Sequence, residues 1–329
     1  MSTESETSGI DALAAAALRR FGLSPEAKAT LCNVSENHTY RVEDPSGSYA
    51  LRVHRAGYRT APQIESELAW IDALRADGAV DTCVPVAAPG GQRVVGVSAD
   101  GVGARHVVLF EWLPGAEPDP AGVEAVAGFR TLGAVSARMH AHSRAWPLPD
   151  GFDRPAWDYD HTLGARGHWG RWQDGLGIGP QERAQLDRLD AVIAARLTAY
   201  GNGAGRFGLV HADIRLANLL VDGGQVRVID FDDAGFAWFM YDFATTVSFM
   251  EDHPRVPELR AAWLDGYRSV VPLDPADEAE LDTLVMLRRL LLVAWIGSHH
   301  AFATEAAELG AGFTAGTCAL AERYLSTHS

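Results

Sequence analysis

The stretch Leu209-Val210-His211-Ala212-Asp213-Ile214-Arg215-Leu216-Ala217-Asn218-Leu219-Leu220-Val221-Asp222-Gly223-Gly224-Gln225-Val226-Arg227-Val228-Ile229-Asp230-Phe231-Asp232 decides how this chain folds. Apolar residues open it, a polar loop interrupts it, and two further apolar runs flank Gly223-Gly224. That pattern predicts a strand, a loop, a second strand, a tight turn and a third strand. A hairpin of this kind returns the chain to its start, so Asp213, Asn218 and Asp230 are expected to converge. Two carboxylates and an amide are hard oxygen donors. Such a set suits Mg2+, which binds through a few protein carboxylates together with substrate phosphates.

On either side of this island the texture is helical, with predicted helices at about 121–142, 181–199, 256–270, 277–299 and 303–325. The first third differs. Ile10, Leu13, Ala14, Ala17, Leu18 and Phe21 share one helical face over residues 10–21. Tyr40-Arg41-Val42 and Tyr49-Ala50-Leu51-Arg52-Val53 then alternate around Asp44-Pro45-Ser46-Gly47, a hairpin signal. Thr60 and Gln63 form a capping-box pattern ahead of a helix with Ile64, Leu68, Ile71 and Leu74 on one side and Gly78 at its end. More strand texture follows at 92–97 and 106–110. Strands first and helices afterwards imply an α+β fold of two lobes, 1–113 and 114–329.

Composition narrows the partners. The formal charge of −15 argues against nucleic acid or an anionic membrane, both of which are bound through basic patches. It suits a cationic small molecule, and equally an acidic surface that serves solubility. Cys32, Cys83 and Cys318 lack metal-site spacing and cannot all pair, which fits a reducing cytoplasm. The N-terminus has no basic start before its apolar run and does not read as a signal peptide. The most apolar segment, 284–296, is interrupted by Arg288 and Arg289, too short and too charged to span a membrane.

His211, Asp213 and Asn218 stand at HxDx4N spacing, with Asp230-Phe231-Asp232 twelve residues after the asparagine. In these residues the chain resembles the aminoglycoside phosphotransferase and choline kinase superfamily, distant relatives of the protein kinases. The resemblance spans about residues 20–325 and implies a two-lobed protein-kinase-like fold with a small antiparallel-sheet N-lobe and a mainly helical C-lobe. It implies an ATP- and Mg2+-dependent kinase acting on a hydroxyl group. Asp213 would accept the proton of the attacking hydroxyl or orient it, and Asn218 and Asp230 would hold the metal. His211 would anchor the loop. Ala212 replaces the commoner glycine, so a backbone angle that only glycine tolerates is not expected there.

The same resemblance assigns the nucleotide contacts. Superfamily members place a phosphate-binding lysine on the third N-lobe strand. Here Leu51-Arg52-Val53 occupies that place, and the single lysine of the chain is Lys28. Arginine stays charged and grips phosphate bidentately, so Arg52 is expected to replace it. Glu67 in the next helix is its expected partner, with Glu65 second. Backbone groups of residues 111–113, from Glu111 to Leu113, would meet the adenine edge, and Ser35 and Asn37 would contact phosphate in a turn that lacks GxGxxG. Arg215 is either a phosphate contact or a solvated arginine. Asp242 in the YDxA element is expected to hold the metal and catalytic loops together by accepting hydrogen bonds, or to cap a helix.

The acceptor is read less directly. Asp232, Asp233, Glu251 and Asp252 would receive an amine-bearing substrate, or else Asp233 packs structurally and Glu251 and Asp252 are solvated. The aromatic residues of 146–172 form either a lid and cation–π box or ordinary packing. His299 and His300, neighbours in a helix, point about 100° apart and do not share a metal. A small-molecule kinase acting on an amine-bearing metabolite or antibiotic is the main expectation. A bacterial stress-response protein serine/threonine kinase and a nucleotide-binding module without turnover are the alternatives.

Overall fold

A computed structural model describes residues 3–34, 37–119, 122 and 124–328, with side chains from residue 9 onward. The chain divides into two units: Met1–Asp77 with Asp81–Pro114 and Leu148–Asp153, and Gly78–Val80 with Gly115–Pro147 and Arg154–Ser329.

The first unit begins with α1 (Thr3–Arg20), longer than the 10–21 segment read from its apolar face. Strands β1 (Lys28–Val34), β2 (His38–Asp44) and β3 (Gly47–Val53) follow, then α2 (Ala61–Ala76), β4 (Pro85–Val86), β5 (Val95–Ala99) and β6 (Gly103–Glu111). The sheet is antiparallel in the order β1-β2-β3-β6-β4, with β5 also pairing β6. Alternation sorts its faces. Leu51, Val53, Val107 and Leu109 are fully buried in one core with Leu13, Ala14 and Ala17 of α1. Arg52 therefore points away from that core. Thr60 caps α2 in a complete capping box with Gln63, and Gly78 follows the helix at φ +64°. Both agree with the sequence signals.

The second unit contains α3 (Ala125–Ala145), α4 (Tyr159–Thr162), α5 (Pro180–Tyr200) and strands β7 (Phe207–Val210), β8 (Leu219–Asp222), β9 (Gln225–Val228) and β10 (Gly235–Trp238). It closes with α6 (Tyr241–Thr246), α7 (Val256–Arg268), α8 (Pro275–Ala279), α9 (Leu281–His299) and α10 (Thr304–His328). Strands β8 and β9 make the expected hairpin around Gly223-Gly224, while β7 pairs with β10. The expected helix at 277–299 is two elements. Asp274 caps α8 by accepting the Ala276 N–H at 2.9 Å, and Glu280, at φ −98° and ψ 1°, separates it from α9. Helices α3 and α7 cross at very close range, because a Cβ at Gly133 would stand 1.9 Å from the Trp263 carbonyl oxygen.

Candidate active site

Strand β7 delivers His211 and the loop behind it. His211 is fully buried, and burial holds its pKa below the ordinary histidine range against the opposing charge of Asp242. A neutral ring can donate from Nε2 to the Ile229 carbonyl, 3.1 Å away, while Nδ1 accepts the Asp213 N–H at 3.3 Å. His211 thus ties the loop to the residue before Asp230.

Ala212 adopts φ +64°, contrary to the expectation from its missing glycine. Its N–H donates to Asp242 Oδ1 at 2.8 Å, and its side chain is buried. The surrounding structure over-determines an angle that alanine disfavours. Asp242 also accepts the His211 N–H at 3.3 Å and meets His140 Nε2 at 2.9 Å. The other ring nitrogen of His140 faces the Tyr267 hydroxyl at 3.0 Å. Ile214 N–H completes the bracing by donating to Thr245 Oγ1 at 3.0 Å.

Asp213 and Asn218 are brought together. Asn218 Nδ2 donates to the Asp213 carbonyl and to Asp213 Oδ2, each at 2.8 Å. Both amide hydrogens are thereby used, which leaves Oδ1 as the atom of this side chain with lone pairs to offer. Ile229 N–H donates to the Asn218 carbonyl at 2.9 Å, which holds the neighbouring Asp230 to the same loop. Asp230 is exposed and sits at φ +61°. An amide oxygen and an exposed carboxylate on one loop are hard donors of the kind that suit Mg2+.

Arg154 braces the acidic loop, a role the sequence did not suggest. Its buried guanidinium donates to the carbonyls of Ala234 at 2.5 Å, Phe231 at 3.2 Å, and Asp232. Trp157 Nε1 adds a bond to the Asp233 carbonyl at 2.8 Å.

Two cations reach Asp213. Arg288 Nη2 donates to Oδ1 at 2.6 Å, and Arg215 Nε lies 3.5 Å from Oδ2. Burial pushes the Asp213 carboxyl above its usual range, and the two guanidiniums pull it back. Arg215 is not simply solvated: its Nη1 donates to Glu305 at 2.7 Å. Glu251 is buried against Arg289 at 2.6 Å and is thus neither solvated nor open to an amine.

Trp157, Trp169 and Trp172 are buried, with the rings of Trp157 and Trp169 5.2 Å apart. Trp172 Nε1 and the Tyr159 hydroxyl both donate to Asp190, at 3.0 and 2.6 Å. These residues of 146–172 pack.

In the first unit, Arg52 Nη2 and Glu67 Oε1 are 2.5 Å apart, both buried, and the Arg52 guanidinium lies 5.4 Å from the Phe110 ring centroid. Glu65 instead pairs with Arg93 at 3.2 Å. The N–H groups of Glu111 and Trp112 are spent on the carbonyls of Val84 at 2.9 Å and Ser48 at 3.0 Å. Asn37 is buried, and its Oδ1 accepts the Arg55 N–H at 3.2 Å. Ser35 lies outside the described residues. Among the described residues, no helix is long and apolar enough to cross a membrane.

Comparison with known proteins agrees with this layout. The chain is 48% identical to a microcompartment-associated aminopropanol kinase of known structure, with a TM-score of 0.89 over 96% of this chain and 98% of that one. An amicoumacin kinase solved with AMP-PNP and Ca2+ superposes with a TM-score of 0.75 at 23% identity, covering 92% of this chain and 91% of that one. Amicoumacin kinase of Bacillus subtilis (strain 168) is 24% identical over 288 residues, 84% of this chain and 82% of its own. The fold is accordingly α+β and protein-kinase-like, with an antiparallel-sheet N-terminal region and a helical C-terminal region. Residues 32–282 match the phosphotransferase enzyme family, and the chain belongs to that family.

Proposed function

We propose that the chain is an ATP- and Mg2+-dependent kinase that phosphorylates the hydroxyl of a small amine-bearing alcohol. The observation that carries this reading is the near-full-length likeness, at 48% identity, to an aminopropanol kinase. The braced loop supports it independently, since family membership alone does not supply an oriented carboxylate.

In this reading Asp213 takes the proton of the acceptor hydroxyl as its oxygen bonds to the γ-phosphorus. The bond from that phosphorus to the bridging oxygen breaks, and ADP leaves. Asn218 Oδ1 and Asp230 would hold Mg2+, which neutralises phosphate charge when it is bound with the nucleotide. Arg52, steadied by Glu67, grips phosphate, and Asn37 and Ser35 add polar contacts to it. The Glu111–Leu113 backbone receives the adenine edge, chiefly through the Leu113 N–H. Arg215 reaches the transferred phosphate by exchanging Glu305 for it. Asp233, half-buried and acting electrostatically on Asp213, receives the ammonium of the acceptor.

Labelled ATP, offered with aminopropanol, ethanolamine, choline and homoserine and separately with a peptide array, tests the proposal. Transfer to an amino alcohol is expected, falling by about two to four orders of magnitude in Asp213→Asn while nucleotide affinity is kept. Label on peptides and on none of the alcohols would overturn the substrate class. Undiminished transfer by Asp213→Asn would remove Asp213 from the chemistry.

A further inference from the structure

Helix α9 is largely apolar, yet its middle carries two adjacent arginines, both buried: Arg288 is 3% exposed and Arg289 6%. Consecutive helix positions are turned about 100° from one another, so the pair must serve different neighbours. Arg289 is accounted for by Glu251, by Thr317 Oγ1 at 2.9 Å, and by the Phe313 ring 3.4 Å away. Arg288 turns to the catalytic loop, where its ion-pair partner among the described residues is Asp213.

The contacts of Arg288 leave its guanidinium little freedom. Nε lies 3.3 Å from Ser248 Oγ and Nη1 3.4 Å from the Tyr241 hydroxyl, while the group sits 5.2 Å from the Trp169 ring centroid. The remaining nitrogen, Nη2, is aimed at Asp213 Oδ1. On the other oxygen, Oδ2 already takes Asn218 Nδ2 and the more distant Arg215 Nε. A carboxylate oxygen has two lone pairs. Oδ1, with one strong donor, keeps one directed site.

We propose that Arg288 is the positioning residue of the phosphoryl-transfer base: it fixes the plane of the Asp213 carboxylate and reserves Oδ1 for the acceptor hydroxyl. This rests on Asp213 being the base. The Trp169 ring, 5.2 Å from the guanidinium carbon, lies beside this fork and limits where it can move. Removing one partner of a buried ion pair is costly when it strands the other charge, but without Arg288 the Asp213 carboxylate still has Arg215 Nε 3.5 Å from Oδ2. Asp213 also keeps 17% of its side-chain surface open, so water can reach it once the cation is gone. Replacing Arg288 should therefore disturb chemistry more than folding.

The experiment compares Arg288→Met and Arg288→Lys in the wild-type and Asp213→Asn backgrounds. It follows phosphoryl transfer from ATP to aminopropanol and, in parallel, slow ATP hydrolysis with water as acceptor. Arg288→Met should lower kcat about a hundredfold, the scale of a misplaced catalytic group. The KM for ATP and the affinity for AMP-PNP should stay within about threefold, because Arg288 is assigned no nucleotide contact. Arg288→Lys should recover less than half of the activity, since an ammonium cannot reproduce the planar fork that spans Ser248, Tyr241 and Asp213. In the Asp213→Asn background both substitutions should cost under about threefold more, because residues that act as a unit are not additive. A merely structural role would subtract the same factor in both backgrounds, and that result overturns the proposal, as does wild-type kcat in Arg288→Met. Should Arg288→Met fail to fold, the same comparison with Arg288→Lys decides. High kcat in Asp213→Asn alone would instead defeat the assignment of the base, whatever the Arg288 variants do.

Discussion

The Asp242 carboxylate accepts the Ala212 N–H at 2.8 Å and holds Ala212 in the left-handed region, at φ +64°. The same carboxylate accepts the N–H of His211 and faces the imidazole of His140 in helix α3. One buried acid therefore links the shape of the loop that carries Asp213 to the helical core.

Substitution of Asp242 should be costly for that reason. Asp242→Asn places an amide donor against three donors, so at least one buried N–H loses its acceptor. Hydrogen bonds to charged groups contribute about 1.5–3 kcal/mol each, and about 3 kcal/mol of stability should be lost. Turnover should fall as well, because Asp213 follows Ala212 in the loop. Denaturant unfolding alongside steady-state kinetics checks this, with the exposed neighbour Asp252→Asn as the control. Equal stability of the two variants would contradict the bracing role.

Acid should weaken the fold through the same cluster. Burial holds the pKa values of His140 and His211 below the usual 6.5, with the Asp242 charge opposing it in both cases. Below that pH the unfolded chain takes up protons that the folded chain resists, so stability is complete above about 6.5 and declines as pH falls. Each such histidine contributes up to about 1.4 kcal/mol per pH unit in that window. His140→Gln should be less stable at pH 7.5 yet show a shallower decline between pH 6.5 and 5.5, above the range where most carboxylates titrate. Urea melts across this interval would reveal a parallel decline if His140 were not involved.

The local features of the site were legible, and the distant ones were not. HxDx4N, the Gly223-Gly224 hairpin and the Thr60–Gln63 capping box are set by residues close in sequence, whose spacing carries their geometry. The direction of Arg52 followed from strand alternation. Arg154, His140 and Arg288 act across 78, 102 and 75 residues. No periodicity records such a pairing. Arg288 in particular read as an interruption of an apolar run and had no partner assigned, since a sequence shows that a charge lies in a helix but not which acid it meets. Glu251 misled for the same reason, because its partner Arg289 lies 38 residues away.

Packing of helix α3, which carries His140, gives an independent stability test. A methyl group at Gly133 would stand 1.9 Å from the Trp263 carbonyl oxygen, a backbone atom that moves only if α7 moves. Gly133→Ala should therefore destabilise by about 2 kcal/mol or more, in the range of overpacked cores. Gly128 lies in the same helix, and a methyl group there would meet nothing within 4 Å, so Gly128→Ala should be neutral or stabilising by up to about 1 kcal/mol. Thermal unfolding of both variants distinguishes steric contact from helix propensity. Matching melting temperatures would rule out the close crossing.

Arg52 provides the test of nucleotide binding in the first unit. Its guanidinium is buried beside Phe110 and meets Glu67 at 2.5 Å, on the sheet face opposite the α1 core. With the usual lysine absent, this fork is the cation expected to hold phosphate. Arg52→Ala should weaken ATP binding at least tenfold, on the order of one lost charge-assisted contact. Adenosine, which has no phosphates, should bind almost unchanged. Arg52→Lys should recover part of the loss, because an ammonium supplies charge without a bidentate geometry. Glu67→Gln should act in the same direction more weakly, since Glu67 orients the cation and is not expected to touch phosphate. Titration calorimetry with ATP and adenosine measures all four cases. If Arg52→Ala lost affinity for both ligands equally, the residue would be shaping the sheet, and the phosphate contact would have to be sought elsewhere.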